Sequence, residues 1–168
     1  MHLKQRKSLM SKLIITIPGK PIPLNRPRFS KGHVYDSQAV IKEELYWEIK
    51  QNVTMYNMAR GVDFPASLYS TFKGPVQIHY TFFMPIAKST SKKRSLALID
   101  TPHIKKPDTD NILKLYNDVC NGLLYYDDSQ IYKLTATKLY SDNPRTEITL
   151  TYGESNDKEI NSKTYHKT

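Results

Sequence analysis

Ile112, Leu115, Tyr116, Val119 and Leu123 recur at i, i+3, i+4, i+7 and i+11. That spacing puts all five on one face of an α-helix. Pro107 precedes the run and Asn121-Gly122 closes it, so the helix is expected from about Asp108 to Asn121. An apolar face of this length has to be buried against a second layer, and strand patterns on both sides supply one. Leu13–Pro18 reads as a strand ended by Pro18-Gly19, and Val76–Met84 as an alternating aromatic strand ended by Pro85. Ile131–Tyr140 and Thr146–Tyr152 read as two strands joined through Ser141–Pro144, with Thr146, Ile148, Leu150 and Tyr152 on one face. Ile41, Leu45, Ile49 and Val53 mark a second helix, opened by Asp36 as N-cap and running to about Tyr56.

The order β-α-β-α-β-β predicts an α+β fold. It is a single domain, a mixed β-sheet of about four strands with two main helices packed on it, with basic loops and polar tails. At 168 residues the chain can bury one sizeable core. The domain is expected over residues 13–152, between a flexible basic N-terminus at 1–12 and a polar, disordered tail at 153–168. Pro21–His33 is expected to be an irregular basic loop. Residues 57–74 form a mixed stretch broken by Gly61, Pro65 and Gly74, and residues 86–106 a long lysine-rich loop or arm.

The chain carries a net charge of +9, unevenly spread. Residues 107–130 hold one base, Lys114, against five acids, Asp108, Asp110, Asp118, Asp127 and Asp128, a net −4. The remainder holds 24 bases against 11 acids, a net +13. A basic surface favours an anionic partner, nucleic acid foremost. Carboxylates within it would repel phosphates unless a cation lies between them.

Several other chemistries are disfavoured. Cys120 is the only cysteine, so no intrachain disulfide forms, and it falls on the apolar side of the helix as a small buried residue. The five histidines show no zinc-ligand spacing such as His-x₃-His. An EF-hand loop starting at Asp108 would need glycine where Leu113 stands, and neither a Walker loop nor GxGxxG is present. The longest apolar run, Leu13–Ile15, is too short to span a membrane, and the basic start lacks the apolar region of a signal peptide. A cytoplasmic protein with no membrane partner is the expectation.

Each acid of the island has an ordinary structural reading. Asp108 can cap the helix, Asp110 can complement its dipole and pair with Lys114 at i, i+4, and Asp127-Asp128-Ser129 can be a simple turn. The alternative is collective. If the turn folds back on the helix start, three or four carboxylates meet, and without a cation they would raise one another's pKa. Magnesium takes about six oxygen ligands, and paired ions about 3.5–4 Å apart activate water and stabilise a leaving oxygen in phosphodiester hydrolysis. Lys114 would then steady the negative transition state. Spacing alone leaves both readings open.

As a set, Lys106-Pro-Asp-Thr-Asp-Asn111, Lys114, Asp118, Asn121-Gly122 and Asp127-Asp-Ser-Gln130 resemble the RusA family of Holliday-junction resolvases, endodeoxyribonucleases frequent in prophages. The likeness extends more loosely over residues 13–152, through Arg26-Pro-Arg28 and Ser91-Lys-Lys-Arg94. Thr109 and Ile112 depart from the family's usual residues at their positions. The resemblance implies a RusA-like fold and a homodimer. It implies an endonuclease dependent on Mg²⁺, with Mn²⁺ as a substitute ion, that cuts four-way junctions or related branched DNA in recombination and repair. It matches Asp108, Asp110 and Asp128 to metal-binding catalytic acids and Lys114 to an essential lysine, with Asp127 second to Asp128 as a ligand. Arg26, Arg28, Lys31, Lys92, Lys93, Arg94, Lys105 and Lys106 are expected to bind DNA phosphates, giving salt-dependent binding that fixes position without reading bases. Two other readings stand beside this one: a non-catalytic branched-DNA-binding protein that uses the acids for structure, and a nuclease for flaps or other non-junction DNA.

Overall fold

The computed structural model describes residues 10–26, 28–30, 32–67 and 70–153. The expectations of a frayed start and a disordered tail fall largely on residues 1–9 and 154–168, outside the described residues, as does Lys31. The elements in chain order are β1 (Met10–Pro18), β2 (Arg28–Ser30), β3 (His33–Tyr35), α1 (Ala39–Arg60), β4 (Ala66–Ser67) and β5 (Ser70–Thr71). They continue with β6 (Val76–Pro85), α2 (Lys92–Leu98), α3 (Thr109–Cys120), a 3₁₀ turn (Asp128–Gln130), β7 (Ile131–Ser141) and β8 (Arg145–Gly153).

Four strands make one mixed sheet in the order β1-β8-β6-β7, with β6 and β7 parallel and the other pairs antiparallel. Two parallel neighbours cannot be joined by a tight turn; the chain between them carries α2 and α3. Alternation fixes the buried face: Leu13, Ile15 and Ile17 of β1, Ile78, Tyr80 and Phe82 of β6, and Ile148 and Leu150 of β8. Thr146 joins them and Tyr152 is half-buried, so the face expected for the last strand is present. Against this sheet lie Leu45, Ile49 and Val53 of α1 and Ile112, Leu115, Tyr116 and Val119 of α3. Both apolar helix faces therefore bury where their spacing places them. Cys120 is fully buried, and burial pushes its thiol pKa up to about 12, which leaves it inert.

Four expectations need correction. Asp36 is not the N-cap of α1, which starts at Ala39. Asp36 instead heads the preceding turn, accepting the Gln38 N–H at 2.8 Å and pairing with Lys42 at 2.8 Å. The helix also runs past Tyr56 to Arg60, where Gly61 takes the left-handed conformation that stops it. The loop over Pro21–His33 contains strand β2 and leads straight into its hairpin partner β3. The arm over residues 86–106 is not structureless: Lys92–Leu98 is helical, a short run of good helix formers whose charge masked its periodicity.

The chain after α2 is also built onto the sheet. Asp100 N–H donates to the Tyr140 carbonyl, Tyr140 N–H to Thr101 and His103 N–H to Lys138, each at 2.9 Å. This segment covers the far end of edge strand β7 and delivers the chain to α3. No helix among the described residues is long and apolar enough to cross a membrane.

Leu115 is fully buried between α3 and the sheet. Leu115→Ala is expected to reduce unfolding free energy by about 2–5 kcal/mol in urea denaturation. A loss near zero would mean that α3 is not packed as described.

Candidate active site

Asp108 sits at the N-cap of α3 with extended backbone (φ −69°, ψ 143°), yet its side chain makes no capping hydrogen bond. The carboxylate at this position is therefore not spent on the helix. Asp110 lies in the first turn, and its Oδ2 accepts from the Lys114 ammonium at 3.1 Å, both side chains being exposed. The Lys114 hydrogen bond, helped by its charge, holds the Asp110 carboxyl below its usual pKa. Asp110 therefore stays ionised into mildly acid solution. The pairing is lost only as the pH falls through that lowered value.

Two clamps fix this helix start. Leu24 N–H donates to the Asn111 carbonyl at 2.9 Å, drawing the Pro-rich segment that leads to Arg26 alongside the first turn. Buried Gln38 steadies that segment, donating to the Pro23 carbonyl at 2.9 Å. From the sheet side, the Lys138 ammonium donates to the carbonyls of Lys105 at 2.7 Å and Pro107 at 2.6 Å. Pro107 immediately precedes Asp108, and the Lys106–Pro107 peptide is cis. Sequence reasoning did not single out Lys138. A lysine in the middle of an alternating strand carries no signal that it caps two carbonyls of a distant segment.

The second acidic element is held at the other end of α3. The Tyr125 hydroxyl donates to the Asn117 carbonyl at 3.1 Å and to Asn117 Oδ1 at 2.9 Å. Burial raises the Tyr125 pKa, and the Asp128 and Asp118 carboxylates raise it further. Asp118 and Asp128 thus act on one hydroxyl. Gln130 anchors the turn to the start of β6: its amide donates to the carbonyls of Phe72 at 3.1 Å and Gly74 at 2.8 Å, while its Oε1 accepts from Asp127 N–H at 2.9 Å.

The two neighbouring acids of the turn differ. Asp127 forms a reciprocal capping box with Gln130, and hydrogen bonding from Ser129, whose N–H its Oδ1 accepts at 2.9 Å, keeps its pKa low. The Asp128 carboxylate makes no hydrogen bond or ion pair among the described residues and is exposed. Among the described residues no three His, Cys, Asp or Glu side chains come together as a metal-binding group. Asp108 and Asp110 thus share one helix end, and Asp128 lies on the turn that follows the helix. Magnesium does not demand an all-protein cage. It is commonly held by one or two carboxylates together with waters and substrate phosphates, so hard oxygen donors free of other partners fit it.

The expected DNA-binding residues fall on three segments. Arg26 is exposed beside α3, while the side chain of Arg28 and all of Lys31 lie outside the described residues. Lys92, Lys93 and Arg94 are exposed on α2, and Lys105 and Lys106 are exposed on the segment clamped by Lys138. The clamped segment and the Arg26 segment flank the helix start from two sides.

A family model described as endodeoxyribonuclease RusA matches residues 18–151, from the end of β1 into β8. The chain is also similar to a protein of Bacillus subtilis (strain 168) described as uncharacterized protein YqaN. The two are 31% identical over 141 residues, which cover 79% of this chain and 91% of that one.

Lys138→Met is expected to speed hydrogen exchange at the Asn111 and Ile112 amides of the first helical turn, with a global destabilisation of no more than about 3 kcal/mol. Lys138→Arg, which keeps charge and donors, is expected to retain the protection. Equal exchange in Met and Arg variants would show that the clamp is not what holds the turn. Lys114→Met is expected to bring the Asp110 pKa up towards its ordinary value of 3.8 in a carboxyl NMR titration. An unmoved pKa would mean that the pair is not formed in solution.

Proposed function

Since the chain belongs to the RusA family of Holliday-junction endodeoxyribonucleases, we propose that it is a Mg²⁺-dependent, homodimeric enzyme that cuts four-way DNA junctions during recombination and repair. The observation that carries this is the family match across residues 18–151, a range that includes Asp108, Asp110, Lys114 and Asp128. The unspent carboxylates of Asp108 and Asp128 support it. So does the net +13 outside the acidic window, which would gather a polyanion around them.

In this reading Asp108, Asp110 and Asp128 hold the cation together with a DNA phosphate, and Asp127 stays with its capping box. Bound Mg²⁺ would supply an activated water and neutralise charge on the phosphate. Lys114 keeps Asp110 ionised, and its ammonium would steady the negative charge that develops on the phosphate. The flanking cations Arg26, Lys105 and Lys106 hold the strand to either side, and the cations of α2 extend that track. These contacts go to the backbone, so junction shape rather than base sequence selects the substrate. A two-fold dimer suits a junction whose arms are related by two-fold symmetry. The cytoplasm is where such a DNA substrate would be met.

The test is cleavage of a labelled synthetic four-way junction against a matched linear duplex, in Mg²⁺ and in EDTA. Cutting of the junction in Mg²⁺ alone is expected. A junction that is bound but intact in Mg²⁺ would sink the proposal. Asp108→Asn and Asp128→Asn are expected to bind the junction normally and cut it about a hundredfold more slowly or worse, the scale of losing metal-centred charge stabilisation. A variant that still cuts removes that residue from the site.

A further inference from the structure

Beside the segment that delivers Asp108 lies a cavity of about 550 Å³, to which the nuclease reading gives no role beyond the phosphate contacts of its cations. It is walled by the end of β6 and α2 on one side and by His103, Lys105 and Tyr140 on the other. Three features give it a chemistry. Its lining includes Arg94 and Lys105 and no acidic residue, and neither cation forms an ion pair among the described residues. The hydroxyls of Thr90 and Ser91 also border it, adding short-range donors. Part of its wall is apolar, with Leu98 and the half-buried Tyr140.

His103 completes the wall. Its ring packs against Tyr140 with centroids 4.4 Å apart, and it is only 8% exposed. Its Nδ1 has no hydrogen-bond partner among the described residues, which is costly for a buried polar atom. Burial, with the Lys138 charge next in effect, keeps the imidazole pKa below its ordinary value. His103 is therefore neutral near pH 7, and the fixed positive charge on this wall comes from Arg94 and Lys105.

A cavity of this size exceeds what a bare phosphate fills and lies within the range of small-ligand sites. Guanidinium and ammonium groups suit a phosphate, the former in bidentate fashion, and an aromatic flank suits a nucleobase. We infer that this cavity binds a single unstacked nucleotide of the DNA strand, its phosphate on Arg94 and Lys105 and its base against Tyr140 and Leu98. The inference rests on the nuclease reading for the identity of the strand. The Lys105 carbonyl is held by Lys138, which also holds Pro107 next to Asp108. A nucleotide seated here is thereby fixed in register with the acidic helix start.

The test needs no cutting and is made on the full chain in EDTA. Thymidine monophosphate, thymidine and inorganic phosphate are titrated separately while amide and His103 ring resonances are followed by NMR. Thymidine monophosphate is expected to shift Arg94, His103 and Lys105, saturating at a concentration about tenfold or more below either fragment. Phosphate saturating as readily as the nucleotide overturns the assignment, because the cavity would then recognise an anion only. Shifts spread evenly over other surface lysines overturn it as well. Ala87→Trp fills the lining while keeping every cation, and Ser89→Trp is a second such variant at another exposed lining position. Where melting shows the fold retained, either is expected to abolish the nucleotide shifts and weaken junction binding about tenfold in fluorescence anisotropy. Unchanged binding in a folded variant overturns the proposal. Wild-type cutting in Mg²⁺ is scored separately, so a failed cavity and a failed nuclease reading give different results.

Discussion

The chain enters α3 through a segment whose carbonyls are capped by one half-buried cation. Lys138 Nζ reaches two of them, at Lys105 and Pro107, and backbone hydrogen bonds from residues 100–103 to β7 secure the approach. A carboxylate that is to meet a cation has to be presented with little freedom, since each rotatable bond frozen on binding weakens the site. The side chain of Asp108 is unrestrained, but the backbone that carries it is held on the sheet side by Lys138 and on the other by the Leu24–Asn111 hydrogen bond. Removing the clamp would leave the helix intact, because Ile112, Leu115, Tyr116 and Val119 pack it independently. What would be lost is the orientation of its first turn.

The same division explains what could be read from the residues. The helix faces were legible because their periodicity is a property of side chains, and burial then followed the pattern at Leu45, Ile49, Val53 and Ile112 through Val119. The four strands were legible for the same reason. The path from Asp100 to Pro107 was not, because it is attached through backbone groups and one lysine, and backbone hydrogen bonds leave no mark on residue identity. Helix α2 was hidden by length: seven residues give less than two full turns in which a face can show. Asp36 read as a cap because the turn it heads uses the same carboxylate-to-amide bond as a cap would.

At the acidic elements, sequence identified residue types but not their employment. Asp127 and Asp128 are the same residue side by side, yet one carboxylate closes a capping box and the other is left without a partner. That difference comes from the reach of Gln130 to Asp127 N–H and to the Phe72 and Gly74 carbonyls, a contact across 58 and 56 residues. Asp118 gains a setting in the same way. It lies in the last turn of α3, and with Asp128 its charge helps raise the Tyr125 pKa.

The charge distribution then has a physical logic that neither half has alone. A chain with +13 outside a −4 window draws phosphates to its surface, but the acids would hold them off at the place where the approach is closest. Lys114 relieves part of this by neutralising Asp110. Nothing comparable neutralises Asp108 or Asp128 among the described residues, so their charge remains for an added cation to balance. In the proposed reading a phosphate arriving with that cation would complete its oxygen shell, so that no closed protein cage would be needed. Under that proposal, affinity for the ion and affinity for the strand would be coupled, each raising the other by the same factor.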